Sequence, residues 1–339
     1  MASKSSLSDE RALTSFEASI HVQPNTEPYE YRALTKHARM SRNWPVAYGG
    51  YVQAWSINAA AATVPAGYGL FNFSGIFLSP VSTTEHLSLS VSDVRRTRTF
   101  HTRSVIAHQL APTGGKKTVF TALVDFINDK ETESMNYCVP PKLRYTSAEA
   151  CPKYREHLLD RVSKGTLSKE LYDGFMVALG NFYQIIDQRY CPEGILFQNV
   201  FGIDSSARTT QDDKPITEKT SAYWVRSLES FSQHADGNAM HKAALTFLLD
   251  GSTSTIPLQH SHRSFLSTQA CSSLDVSVRF RSSKFRMDQW ILIELYTEAA
   301  GEGRTIPNAK AWTEQGELIA TASQNCILRF GPGEPQVKL

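Results

Sequence analysis

The sequence predicts an α+β chain built as two copies of one architecture, each with a long apolar helix followed by a run of antiparallel strands. Three observations carry this prediction. Residues Val52 to Ala62 form an Ala-rich run of good helix formers, with apolar residues at Val52, Trp55, Ile57 and Ala59, that stops before Pro65. Several strand-like segments follow it, separated by turn residues. After a stretch of different composition the same order begins again, although the halves share little residue identity, so the repeat is one of element order.

Each element has its own signal. Residues 14–36 alternate through Phe16, Ala18, Ile20 and Val22 and then run through Tyr29 and Tyr31, which reads as a first strand and its return. Apolar residues surround the 52–62 helix, which predicts a buried helix rather than a surface one. Strands are predicted over 70–78, 87–96 (with Leu87, Leu89 and Val91 alternating), 99–109 and 118–127, the last two joined by a turn at Gly114-Gly115. From Asn128 the composition shifts to Pro140, Pro141 and Pro152 and then to helical spacing from Leu158 to Phe182, a structured connection. The second copy reads as a strand pair at 195–201 and 222–228, a helix at 238–249, and strands at 273–281, 289–298, 307–313 and 317–329. The predicted boundaries are 14–130 for the first domain, 131–186 for the partly helical linker and 187–332 for the second.

Bulk composition narrows the function. The chain has 339 residues, 41% of them hydrophobic, enough for two domains with real cores. Thirty-five Lys and Arg balance 33 Asp and Glu, a net charge of +2, and no nucleic-acid footprint is expected from that total. The five cysteines (138, 151, 191, 271 and 326) are scattered and never spaced as Cys-x-x-Cys, which argues against a disulfide framework or a zinc knuckle and for a reducing compartment. No signal peptide is read in Met1 to Ala12, and no run approaches the roughly 18 apolar residues of a membrane span, so an intracellular protein without a span is expected. Val337-Lys338-Leu339 shares its last two residues with the Ser-Lys-Leu peroxisomal signal, which leaves cytoplasmic and peroxisomal locations open.

No Gly-x-Ser-x-Gly elbow and no Gly-rich phosphate loop is present. His260-Ser-His262 lacks a third ligand at a telling distance, so neither a metal nor a cofactor is expected. What remains is a set of polar residues on three apolar segments of the last third: Asp250 ends the second helix, Ser273 opens a strand and Gln324 lies on the last one. Taken singly, these read as a helix end, an ordinary strand serine and a solvent-facing amide. Together they can hold and polarise a water molecule.

Their order and context, with His241-x8-Asp250, Ser273-x-Asp-x-Ser277 and Ala320-Thr-x-x-Gln324, resemble the acyl-CoA thioesterase II family, whose members have a double hotdog fold. The resemblance extends from about Tyr48 to Arg329. It implies thioester hydrolysis by direct attack of water, with Asp250 as general base and Ser273 and Gln324 positioning the water. It also implies an acyl-CoA substrate and makes a homodimer plausible. In the first half, Tyr48-Gly49-Gly50 resembles the family's Phe-Gly-Gly-Gln, and Arg95-x4-Phe100-x-x-Arg103 its strand hairpin, implying substrate contacts from Tyr48, Gly49, Gly50, Arg95 and Arg103. The Arg95-Arg96-Thr-Arg98 cluster reads either as a seat for coenzyme A phosphates or as an exposed hairpin face.

The chain also departs from the family pattern. Tyr51 stands where the family usually has Gln, Val276 where a His often follows the strand Asp, and Ser79-Pro80-Val81 in place of Arg-Pro-Gly. Hotdog folds host dehydratases as well as thioesterases. A pathway-specific dehydratase or cyclase, and a non-catalytic acyl-binding protein, are therefore the alternatives.

Overall fold

In a computed structural model, the described residues are 15–37, 47–111, 114–128, 135–179, 182–202, 204, 207–231, 238–251 and 253–331. The N-terminal leader and Val337-Lys338-Leu339 lie outside them. The elements in chain order are α1 (Phe16–Ile20), β1 (Val22–Pro24), β2 (Glu30–Ala33), α2 (Gly49–Ala61), β3 (Gly69–Phe77), β4 (Ser88–Arg96), β5 (Phe100–Leu110), β6 (Lys116–Ile127), α3 (Tyr154–Ser163) and α4 (Lys169–Leu179). They continue with β7 (Ile186–Tyr190), α5 (Ile195–Gln198), β8 (Ser221–Ser227), α6 (Ala239–Asp250), α7 (Ile256–His260), β9 (Thr268–Phe280), β10 (Ile291–Gly301), β11 (Arg304–Thr313) and β12 (Leu318–Phe330).

One antiparallel sheet contains all twelve strands, in the order β1-β2-β4-β5-β6-β3-β9-β12-β11-β10-β8-β7. Counted outward from the β3–β9 seam, the two halves have the same sequence of strands: third, sixth, fifth, fourth, second, first. The element order of the sequence is thus repeated in space. At the seam Asn72 faces Arg279 and Ile76 faces Asp275.

Two expected strands are helical instead. Phe16 and Ile20 are both buried at helical spacing, and the Ser15 hydroxyl caps them by accepting from the Ala18 N–H at 3.1 Å, so α1 replaces the first predicted strand. The run Ile195 to Phe201 carries strand-formers, yet it turns as α5 and a short 3-10 helix, and β7 takes the edge position. A short buried apolar run has no periodicity that separates helix from strand, and here the contact with β8 decides, where the Leu196 N–H donates to the Ser221 hydroxyl at 3.1 Å.

Helix α2 is buried on every face from Gly50 to Ala60 because it lies between the sheet and α6. The two helices run antiparallel: Tyr48 at the start of α2 donates to the Phe247 carbonyl near the end of α6, and the Asn58 amide lies 3.6 Å from the Met240 sulfur near its start. Glycine permits this approach. A Cβ on Gly50 would fall 2.6 Å from the Phe247 carbonyl oxygen and 2.6 Å from a Tyr48 ring carbon. At the opposite end of the pair the buried Lys242 donates to the Leu70 carbonyl of the first half at 2.6 Å and to the Ser283 hydroxyl at 2.9 Å. Burial brings its ammonium down to about 8.

Each half carries a β-bulge at the same place. In β9, Asp275 faces Asn325 while Ser273 faces Cys326, which leaves Leu274 unpaired. In β3, Asn72 faces Asp125 while Leu70 faces Phe126, which leaves Phe71 unpaired. A carboxylate–amide clip crosses the strands beside each bulge. Asn72 donates to Asp125 at 3.0 Å in the first half, and Asn325 donates to Asp275 at 2.8 Å in the second. Because side chains alternate along a strand, one extra residue reverses which of them face inward.

Gly50→Ala is expected to destabilise the protein by about 1–3 kcal/mol, although alanine gains roughly 1 kcal/mol over glycine within a helix. Urea denaturation of the variant and the parent measures this; equal midpoints would refute the close-approach account.

Candidate active site

The bulge in β9 sets the site. Above it Phe280, Val278 and Val276 point inward, and below it Cys271 and Ser273 do so instead. Ser273 therefore shares a face with Gln324 of β12, and its hydroxyl donates to Gln324 Oε1 at 3.0 Å. The Cys326 thiol donates weakly to the same oxygen at 3.6 Å. With its oxygen so engaged, the Gln324 amide turns its nitrogen to Asp250, where Nε2 donates to Oδ1 at 3.1 Å. The structure thus brings Asp250, Ser273 and Gln324 into one chain of hydrogen bonds.

Asp250 is the last residue of α6, where the helix dipole disfavours negative charge, but it also lies at the start of α2, where the dipole favours it. Burial dominates and raises its carboxyl from the usual 3.8 to about 6, opposed by hydrogen bonds from Gln53, Gln324 and the Gly50 backbone. Gly49 gives the carboxylate room: a Cβ there would sit 2.9 Å from Asp250 Oδ2 and 2.9 Å from the Phe77 ring. Tyr48 frames the site with its ring against Phe182 and Phe247, its hydroxyl spent on the α6 backbone. Burial raises the Tyr48 hydroxyl well above its usual range.

Arg95 and Arg103 are not brought to Asp250. Arg103 is fully buried, ion-paired with Asp93 at 2.7 Å and donating to the Thr63 hydroxyl at 2.8 Å. Thr63 follows the far end of α2, roughly 18 Å along its axis from Gly49 at 1.5 Å per residue. Arg95 lies over the Phe100 ring and donates to Thr102 at 3.1 Å. The histidines of the His260-Ser-His262 run diverge, His260 at the end of α7 to Ser221 and His262 beyond it to Asp212, and no metal-ligating cluster occurs among the described residues.

One residue escaped the sequence reading. Gln53 of α2 is fully buried, and its Nε2 donates to Asp250 Oδ1 at 2.8 Å. The signal was present: Gly49, Gly50 and Gln53 share one helix face at spacings of three and four, and Gln53 is polar within an apolar run.

Two six-stranded half-sheets, each carrying one buried helix and joined edge to edge, define a double hotdog protein. The site lies where the two helices meet. Residues 39–127 match the family model for the acyl-CoA thioesterase N-terminal domain, and 180–328 the model for the acyl-CoA thioesterase C-terminal domain; the chain belongs to this family. Among solved structures it is similar to an acyl-CoA thioesterase II, TesB2, from Mycobacterium marinum, with a TM-score of 0.65 at 20% identity over 94% of this chain and 99% of that one. A hot dog fold protein of unknown function from Alicyclobacillus acidocaldarius gives 0.63 at 15% identity over 93% and 98%. Human acyl-coenzyme A thioesterase 8 is 28% identical over 125 residues, 36% of this chain and only 37% of that protein's length.

Raising a buried carboxyl has a stability consequence. With the folded value at about 6 and the usual value at 3.8, the folded state binds more protons between those limits, so stability falls as pH rises through the window. Asp250→Asn removes that penalty. It is expected to match the parent near pH 4 and to exceed it by about 3 kcal/mol above pH 7, read from chemical denaturation at several pH values; an offset that does not change with pH would refute the assignment.

Proposed function

We propose that the protein hydrolyses an acyl-CoA thioester to the free acid and coenzyme A, with Asp250 as general base. The observation that carries this reading is the hydrogen-bond chain from Ser273 through Gln324 to a buried carboxylate at the start of α2. Family membership supplies the substrate class. A carboxyl held at about 6 is ionised at neutral pH and is more basic than an exposed aspartate.

In the proposed cycle Asp250 accepts a proton from water as its oxygen attacks the thioester carbonyl carbon. The negative charge that forms on the carbonyl oxygen faces the start of α2, where the helix dipole is positive. Collapse of the tetrahedral intermediate breaks the C–S bond, and the departing thiolate takes the proton back from Asp250. No acyl-enzyme forms, because the Ser273 proton is directed to Gln324 and away from any base that would free it for attack. Tyr48, Gly49 and Gly50 wall the reacting end, and an intracellular setting, cytoplasmic or peroxisomal, fits such a substrate.

Thiol release from short, medium, long and aromatic acyl-CoAs tests this. The parent is expected to turn over at least one class, with kcat/KM rising through a midpoint near pH 6. Asp250→Asn should lose activity by about 100-fold or more. No thiol release from any acyl-CoA would move the reading to a dehydratase, a cyclase or a binding protein.

A further inference from the structure

We infer that Gln53 of the first hotdog is a positioning residue for the second hotdog's carboxylate, and that its free amide oxygen orients the attacking water. The inference rests on the proposed hydrolysis. Gln53 Nε2 and Gln324 Nε2 both donate to Oδ1 of Asp250, at 2.8 and 3.1 Å. One carboxylate oxygen is thereby held by two amides, one from each half of the chain. Oδ2 is left as the proton acceptor, beside the bare α-carbon of Gly49.

The second half of the argument concerns unused acceptors. Gln324 Oε1 receives the Ser273 hydroxyl and the Cys326 thiol, so neither Ser273's proton nor that oxygen is available to a water. Gln53 Oε1 is buried and has no hydrogen-bond partner among the described residues. A buried carbonyl without a donor is costly, and such groups recur where a ligand completes them. It belongs to the same planar amide as the nitrogen on Asp250, so a water on Oδ2 can give one proton to the carboxylate and its other hydrogen bond to Gln53.

Few other groups titrate near Asp250. Tyr48 from the start of α2 and Cys326 from β12 face it, with Cys271 of β9 behind, and burial raises all three. All three therefore stay protonated from pH 5 to 9, so a midpoint near 6 belongs to Asp250.

Gln53→Met keeps the length and packing of the side chain while removing both hydrogen-bonding groups, and Gln53→Leu serves as a second variant. In the full-length protein, carbon-13 NMR of labelled aspartate carboxyls, assigned with Asp250→Asn, should show the Asp250 midpoint moving from about 6 in the parent to about 7 or above in either variant. In the parent itself the Gln53 side-chain amide resonance should titrate with the same midpoint and lose that response in Asp250→Asn. An unmoved midpoint or a pH-insensitive amide would overturn the positioning role, whether or not any acyl-CoA is turned over. With the best acyl-CoA, kcat of Gln53→Met should remain about 10-fold or more below the parent even at pH 9, where Asp250 is ionised in both, with KM within about twofold. Parental kcat at pH 9 would overturn the water-orienting role. Absence of turnover by the parent would instead refute the hydrolase reading, and the NMR titrations would still decide the positioning role.

Discussion

A carboxylate taken out of water must be solvated again by the protein, and the place of Asp250 imposes that demand on several segments at once. Its hydrogen-bond donors come from α2 in the first half and from β12 in the second, and neither half alone surrounds it. The antiparallel contact of α2 with α6 is what makes this possible, and the contact exists because Gly49 and Gly50 carry no side chain to hold the helices apart. At the far end of the same helix pair, buried Lys242 binds the Leu70 carbonyl across the same boundary. Two buried charges of opposite sign therefore fix how the halves sit against each other. Sliding one half along the other would strand both.

The incomplete neutralisation of Asp250 is chemically useful. Had its hydrogen bonds fully offset burial, the carboxyl would have kept its ordinary acidity and would be a weak base at neutral pH. Burial outweighs the donors, and the group is left poised within reach of physiological pH. The same imbalance lowers stability as the carboxyl ionises, so the basicity on which the proposed hydrolysis draws works against the fold.

Much of the architecture was legible in the sequence because helix and strand periodicities differ and each half repeats their order. Asp250, Ser273 and Gln324 could be picked out by family resemblance, and the structure joins them although they lie on three separate elements. What periodicity could not show is the switch of facing at Leu274: an unbroken alternation from Phe280 down to Ser272 would have pointed Ser273 outward. Nor could spacing reveal the partners of Arg103. A charged residue on a strand reads as a ligand contact until the neighbouring strand is known to present Asp93, and Thr63 to follow the end of α2. Gln53 was passed over because an amide inside an Ala-rich helix looks like an incidental polar residue until α6 is laid beside it.

The paired bulges carry a further message about descent. Phe71 and Leu274 are the unpaired residues of corresponding strands, and each bulge is flanked by one Asp and one Asn whose places are exchanged between the halves. Two independent origins for so specific an irregularity are hard to reconcile with its matching position. Such a pattern is the mark of an ancestral single unit, duplicated and fused with its bulge already in place. Where the second copy has Ser273 and Gln324, the first has Leu70 and Val124, buried in its core. The duplicated copies have thus diverged into unequal specialists, one bearing the polar chain and the other lending a helix and a single amide to its sister.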